Sequence, residues 1–243
     1  MAPDPSCEVL LAMWEQAYGL SPAARGMALL GLVLPQRPVD ELRAMSLGQR
    51  DAALLDLRAK LFGHQLQSVA PCPACGDKVE LEFLVDDVRI AETGTSTPVR
   101  VALGRRNLIA RAATCDDVLF IEQLPSSASR RSVLLERCVQ TTGKQRMTTR
   151  LTFTADEERL LASQLAECDP QADMRIGLEC FACAHAWQAR FDIVRFLWQE
   201  IDVWAQRLLA EVHLLASAYG WSERSIVTMS PWRRQIYLEM LRR

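Results

Sequence analysis

The chain has 243 residues, about half of them apolar, with 30 acidic against 28 basic residues. That length and apolar content suffice for a sizeable buried core. The near-neutral balance argues against a dedicated nucleic-acid binder, which carries a basic excess on one face.

The first ten residues hold Asp4 and Glu8 but no lysine or arginine, so a secretory n-region is not expected. The longest strongly apolar stretch, Met27 to Leu34, stops at Pro35, far short of the roughly 20 residues that span a bilayer. The expectation is a soluble, cytoplasmic protein with no membrane partner. In a reducing compartment an even count of eight cysteines does not imply a disulfide framework, and the four in two C-x-x-C pairs point to metal.

In chain order, Ser6 is placed to cap a helix through Val9, Leu10, Met13, Trp14 and Ala17. Ser21-Pro22 opens a second, predicted to stop near Gly31. Pro35 and Pro38 punctuate a loop, and the Ser46/Gln49 capping box starts a helix through Leu54, Leu57 and Leu61 to Gly63. The texture then changes. Val69, Cys72-Pro-Ala-Cys75-Gly76 and the alternating Val79, Leu81, Phe83 and Val85 predict strand, turn and strand. The same grammar returns from Met174 to Val194: Ile176 and Leu178 lead into Cys180-x-x-Cys183, and Trp187, Ala189, Phe191 and Ile193 alternate on the way out.

Between these copies, Val99, Val101 and Leu103 alternate, Gly104 to Asn107 reads as a turn, and Leu108 to Ala112 as the returning strand. Helices are expected over Thr114 to Gln123 and Ala128 to Gln140. A third starts at the Thr154/Glu157 capping box, ends near Cys168, and is stopped by Asp169-Pro170. The strongest helical signal comes last. Leu197, Ile201, Trp204, Leu208, Val212, Leu215 and Tyr219 keep a three/four spacing, and Gly220 marks the stop. Short helices follow from Ser222 and from Ser230-Pro231. The expected architecture is α+β and helix-rich. Residues 1–65 form an N-terminal helical segment, and 66–90 with 174–194 a split zinc-ribbon-like unit. A mixed hairpin and helical insert spans 91–173, and a C-terminal helical segment 195–243.

The paired cysteines carry the chemistry. A structural zinc site takes four ligands in a tetrahedron, and two C-x-x-C turns supply four thiolates, so Cys72, Cys75, Cys180 and Cys183 are expected to hold one Zn2+. A closed shell of four sulfurs leaves no position for water, so this metal is structural. The alternatives are two independent reducible thiol pairs or core cysteines, and an iron–sulfur cluster on the same four ligands. Gly76 permits a left-handed turn after the second ligand; the second turn lacks that glycine, and a different local geometry is expected there. His185 reads as a surface or outer-layer residue. Cys7, Cys115, Cys138 and Cys168 are isolated and read mostly as small buried hydrophobes.

A thioredoxin-like reaction needs a reactive thiolate at a helix N-terminus, whereas each pair here lies between strands. The doublets Asp86-Asp87 and Asp116-Asp117 read as a strand end and a helix first turn, without a partner for acid–base work. P-loop, G-x-G-x-x-G, H-E-x-x-H and G-x-S-x-G motifs are missing. The chain is read as a non-enzyme. Trp198, Trp204, Trp221, Trp232, Arg233 and Arg234 are the candidates for a partner-binding surface.

Several stretches together resemble a known family. They are Ser46-Leu-Gly-Gln-Arg-Asp-Ala-Ala-Leu-Leu-Asp-Leu-Arg58, Leu61-Phe-Gly63 and Cys72-Pro-Ala-Cys-Gly76. Phe196-Leu-Trp-Gln-Glu200, Glu211-Val-His-Leu-Leu-Ala-Ser-Ala-Tyr-Gly-Trp221 and Ser230-Pro-Trp-Arg-Arg-Gln-Ile-Tyr-Leu238 complete them. The resemblance is to the T-even-like baseplate hub assembly chaperones of contractile phage tails and phage-tail-like injection systems. It implies an assembly factor whose partner is a hub or spike protein, and brings no catalytic residues. The alternative is a zinc-ribbon nucleic-acid module, which Glu80, Glu82, Asp86 and Asp87 beside the first knuckle oppose.

Overall fold

The computed structural model describes residues 5–90, 98–104, 106–125, 129–141 and 151–242. Helices dominate, joined to small antiparallel sheets. Ser6, Ser21 and Ser46 each accept a backbone N–H at the start of α1 (Cys7–Ala17), α2 (Pro22–Val33) and α4 (Leu47–Phe62). At α4 both hydrogen bonds of the Ser46/Gln49 box form. Helix α2 runs past Gly31 to Val33, because Leu29 and Leu30 are fully buried and hold its last turn. The stretch after Pro38, read as loop, continues as a short helix, α3 (Val39–Ala44), with Leu42 turned inward.

Next comes a hairpin, β1 (Gln65–Pro71) and β2 (Lys78–Leu84), followed by α5 (Val85–Val88). Asp86 and Asp87 therefore lie in a helical first turn rather than at a strand end, and Asp87 accepts the Leu84 N–H at 2.7 Å.

The insert contains β3 (Val99–Leu103), β4 (Arg106–Ala110), α6 (Cys115–Glu122), α7 (Arg130–Arg137), β5 (Val139–Thr141) and α8 (Ala155–Cys168). The return strand starts two residues earlier than expected, since Leu103 already pairs with Arg106. Strand β5 replaces the predicted end of α7 and pairs with β4 into a three-stranded sheet. The predicted helix start at Ala128 lies outside the described residues. A 3-10 turn, Pro170–Asp173, leads to a second hairpin, β6 (Arg175–Glu179) and β7 (Ala186–Arg190). The chain ends in α9 (Ile193–Tyr219), α10 (Glu223–Val227) and α11 (Pro231–Leu241).

The N-terminal and C-terminal helices share one core. Leu10, Leu29, Leu54, Leu55 and Leu57 pack with Ile193, Leu197 and Ile201 of α9, joined by Leu66 and Met174 from the two hairpins. Lower along α9, Leu208, Val212 and Leu215 pack with Leu11, Ile226, Val227 and Leu238. Each such side chain contributes about 1.5–3 kcal/mol by leaving water. Two buried arginines anchor to glutamates of α9. Arg58 reaches both carboxylate oxygens of Glu200, at 2.7 and 3.0 Å, and Arg234 reaches Glu211 at 3.0 Å.

The insert has its own core of Val101, Leu103, Leu108, Leu135, Val139 and Leu161. It docks on the start of α4, where the Leu47 N–H donates to Ala113 and the Cys115 N–H to Met45, each at 3.0 Å. No helix among the described residues is long and apolar enough to cross a membrane.

Candidate metal centre

Each hairpin ends in a cysteine turn built by the same hydrogen bonds. In the first, the Cys72 N–H donates to Asp77 O and the Gly76 N–H to Cys72 O, both at 2.8 Å. In the second, the Cys180 N–H donates to His185 O at 2.9 Å and the Ala184 N–H to Cys180 O at 2.8 Å. The residue after the second ligand takes a positive φ in both turns, 78° at Gly76 and 54° at Ala184. The expectation of a different second turn is thus corrected. Alanine adopts the left-handed conformation that glycine takes in the first copy, at a cost of about 1–2 kcal/mol.

The two turns meet. Sγ atoms of Cys72, Cys75, Cys180 and Cys183 all lie within 4.8 Å of one another. Cys72 stands 3.7 Å from Cys183, and Cys75 stands 3.6 Å from Cys180, across 111 and 105 residues of chain. A tetrahedron with metal–sulfur bonds of about 2.3 Å has edges of about 3.8 Å, so the four sulfurs fit a single ion. Cys72 and Cys180 are buried beside Val79, Leu81 and Trp187, whereas Cys75 and Cys183 face solvent. Every ligand pair thus has one sulfur in the apolar base and one at the surface. His185 lies outside the sulfur group, its exposed ring stacked at 6.1 Å on Trp187.

The electrostatics of the cluster divide its thiols. Burial disfavours the Cys72 thiolate, but the N–H groups of Cys75 and Ala74 outweigh it and draw the thiol down to about 7. At Cys75 the Asp77 N–H favours the thiolate, yet the Cys183 and Cys180 sulfurs more than offset it and push the thiol up to about 12. Cys183 is also raised: the His185 N–H favours its thiolate, and the Cys72 and Cys180 sulfurs together with burial oppose it. The Cys72 and Cys180 sulfurs thus oppose ionisation of both Cys75 and Cys183, and a divalent ion among the four would offset that opposition.

The other cysteines sit apart from this cluster. Cys115 and Cys138 are buried, and burial raises their thiols to about 11 and about 12. Cys7 and Cys168 are half-buried.

The six residues expected at a partner surface separate into groups. Trp198 is buried, with the Arg25 guanidinium 4.5 Å above its ring. Arg234 is buried against Glu211 and donates to Met229 O at 2.6 Å. Trp204 is half-buried between the two helical cores, and Trp221 stacks at 4.5 Å on Tyr219. Trp232, 75% exposed, and Arg233 remain at the surface. Trp232 borders a groove of about 600 Å3 floored by Leu10, Leu61, Phe62 and Leu208.

Sequence reasoning missed a charge network in the insert. Asp117, fully buried, accepts from Arg111 at 2.6 and 3.1 Å and from Arg137 at 2.8 Å. The doublet Asp116-Asp117 therefore has partners, and they are structural.

Fold and site define a helix-rich α+β protein whose distant hairpins form a four-cysteine cluster fit to hold one metal ion. Comparison with protein-family models, with curated proteins and with solved structures finds no match to this chain.

Proposed function

We propose that this chain is a non-enzymatic, cytoplasmic assembly factor for the baseplate hub or spike of a contractile tail or injection system, its fold locked by one structural zinc. The observation carrying the metal reading is the convergence of four sulfurs from two hairpins within 4.8 Å. A cluster of several irons would hold the thiolates farther apart than one ion does. Among single ions, a tetrahedral all-sulfur shell suits zinc. The paired hairpins with their knuckles are accordingly read as a split zinc ribbon. Four protein ligands fill the shell, so the ion supplies folding free energy rather than chemistry.

The assembly reading is supported by the motif resemblance and by the exposed Trp232 at the rim of an apolar groove, with the exposed Arg233 next to it in the chain. An exposed tryptophan at a pocket rim is the kind of residue that dominates protein interfaces. Within that account the protein covers an adhesive surface of its client until the next component arrives.

Affinity capture of the tagged chain from cells expressing its neighbouring tail genes tests this reading. A hub or spike protein is expected, with recovery reduced about tenfold or more by Trp232→Ala. Recovery of nucleic acid, or of no tail component, would overturn it. The nucleic-acid alternative is opposed by the exposed Glu80 and Glu82 on the hairpin that carries the first knuckle, with the exposed Asp86 and Asp87 at that hairpin's far end.

A further inference from the structure

The cysteine end of the hairpin pair carries a feature that the metal does not explain. Phe181, between two of the sulfur ligands, is 98% exposed. It stands at the mouth of a slot of about 640 Å3 between β2 and β6. Residues 79–83 and 176–180 line this slot continuously, whereas β1 and β7 contribute nothing to it. Consecutive residues point to alternate faces of a strand, so a continuous lining marks strand edges rather than faces. Both edges are open: β2 pairs only with β1, and β6 only with β7, among the described residues.

Open edges are hazards that proteins usually blunt with lysine, proline or bulges. Strand β1 ends in Pro71 and β6 contains Gly177, but β2 reads Lys-Val-Glu-Leu-Glu-Phe-Leu, free of proline and glycine, with its one lysine at the first position beside the cysteine turn. The slot's floor is apolar, from Val79, Leu81, Ile176 and Leu178. Its charged lining is entirely acidic: Glu80 and Glu82 on one side, Glu179 on the other. Glu80 and Glu179 are exposed, and neither takes part in an ion pair among the described residues. Lys78, at the start of β2, does not line the slot.

We propose that this slot binds an extended partner segment in which basic residues alternate with apolar ones, added as a third strand to the open edge of β2. Main-chain hydrogen bonds to β2 hold such a segment, and alternate side chains select it. Its apolar residues enter the floor, its lysines or arginines meet Glu80, Glu82 and Glu179, and Phe181 covers its end. The acidic rim rejects a phosphate backbone and acidic peptides alike. This surface lies on the hairpins rather than beside Trp232, so it does not depend on the hub reading.

The test is a nuclear magnetic resonance titration of the zinc-loaded full chain with two short synthetic peptides, one alternating lysine with valine and one alternating glutamate with valine. The lysine peptide is expected to shift the amides of residues 79–83 and 176–181 and to protect those of β2 from exchange. The glutamate peptide is expected to leave them unmoved. Phe181→Ala should weaken lysine-peptide binding about tenfold. The double variant Glu80→Lys/Glu179→Lys should reverse the peptide preference while its own spectrum stays that of a folded, zinc-loaded protein. Equal responses to both peptides, shifts centred elsewhere, or binding by the lysine peptide without added protection of β2 would each overturn the proposal.

Discussion

Gly48 shows how much can depend on one missing methyl group. Its N–H, at the start of α4, donates to the Asp169 carboxylate at 2.8 Å, and that carboxylate is buried. A β-carbon at Gly48 would lie 1.8 Å from Asp169 Oδ1. Gly48→Ala should therefore evict a buried carboxylate from a helix N-terminus and destabilise the protein by about 2–4 kcal/mol in urea unfolding. Gly31→Ala, with no neighbour within 4 Å of the new carbon, should instead stabilise α2 by about 1 kcal/mol or less. Equal effects at the two positions would refute the close approach. The sequence shows Gly48 inside a capping box and Asp169 before a proline, each a local signal. Their meeting across 121 residues has no local signature. Ala184 teaches the converse. Its missing glycine predicted an altered turn, yet the paired hydrogen bonds of the knuckle impose the left-handed conformation on alanine.

At the scale of elements, the serine and threonine caps and the three/four spacing of α9 were legible because both are local. The duplicated knuckle hairpins were legible for the same reason, since alternation and cysteine spacing repeat within a few residues. Strand β5 and helix α3 were not. The first has three residues and exists through its pairing with β4; the second lacks a side-chain cap bond and exists because Leu42 finds a buried site. The Arg111–Asp117–Arg137 network, which fastens the end of β4 to the first turn of α6 and the last of α7, was hidden by its non-local partners. Burial opposes ionisation of Asp117, but Arg111 and the Thr114 N–H outweigh it and lower its pKa to about 2. A depressed carboxylate stabilises the fold above its unfolded pKa, and that contribution disappears as pH falls through the folded value. The stability difference between the native chain and Asp117→Asn should thus include a pH-dependent part of about 2 kcal/mol, constant above about pH 5 and vanishing between about pH 4 and 2. Denaturant unfolding over that range measures it, and a pH-independent difference would contradict the network.

For the whole molecule, the sequence showed that both ends are helical but not that they form one body. That follows from α9, whose buried face receives α2 and α4 along one half, α10 and α11 along the other, and α1 across both. The two hairpins leave this body from opposite sides of the insert, one before α5 and one before α9, and converge again at the cysteines. A metal ion held there would close a loop that contains the entire insert. X-ray absorption at the zinc edge of the loaded full chain tests this closure most directly. One zinc per chain with four sulfurs at about 2.3 Å is expected, and a Cys180→Ser variant should lose the ion. Two sulfurs per zinc completed by nitrogen or oxygen would mean that each knuckle binds alone, and would contradict the closure.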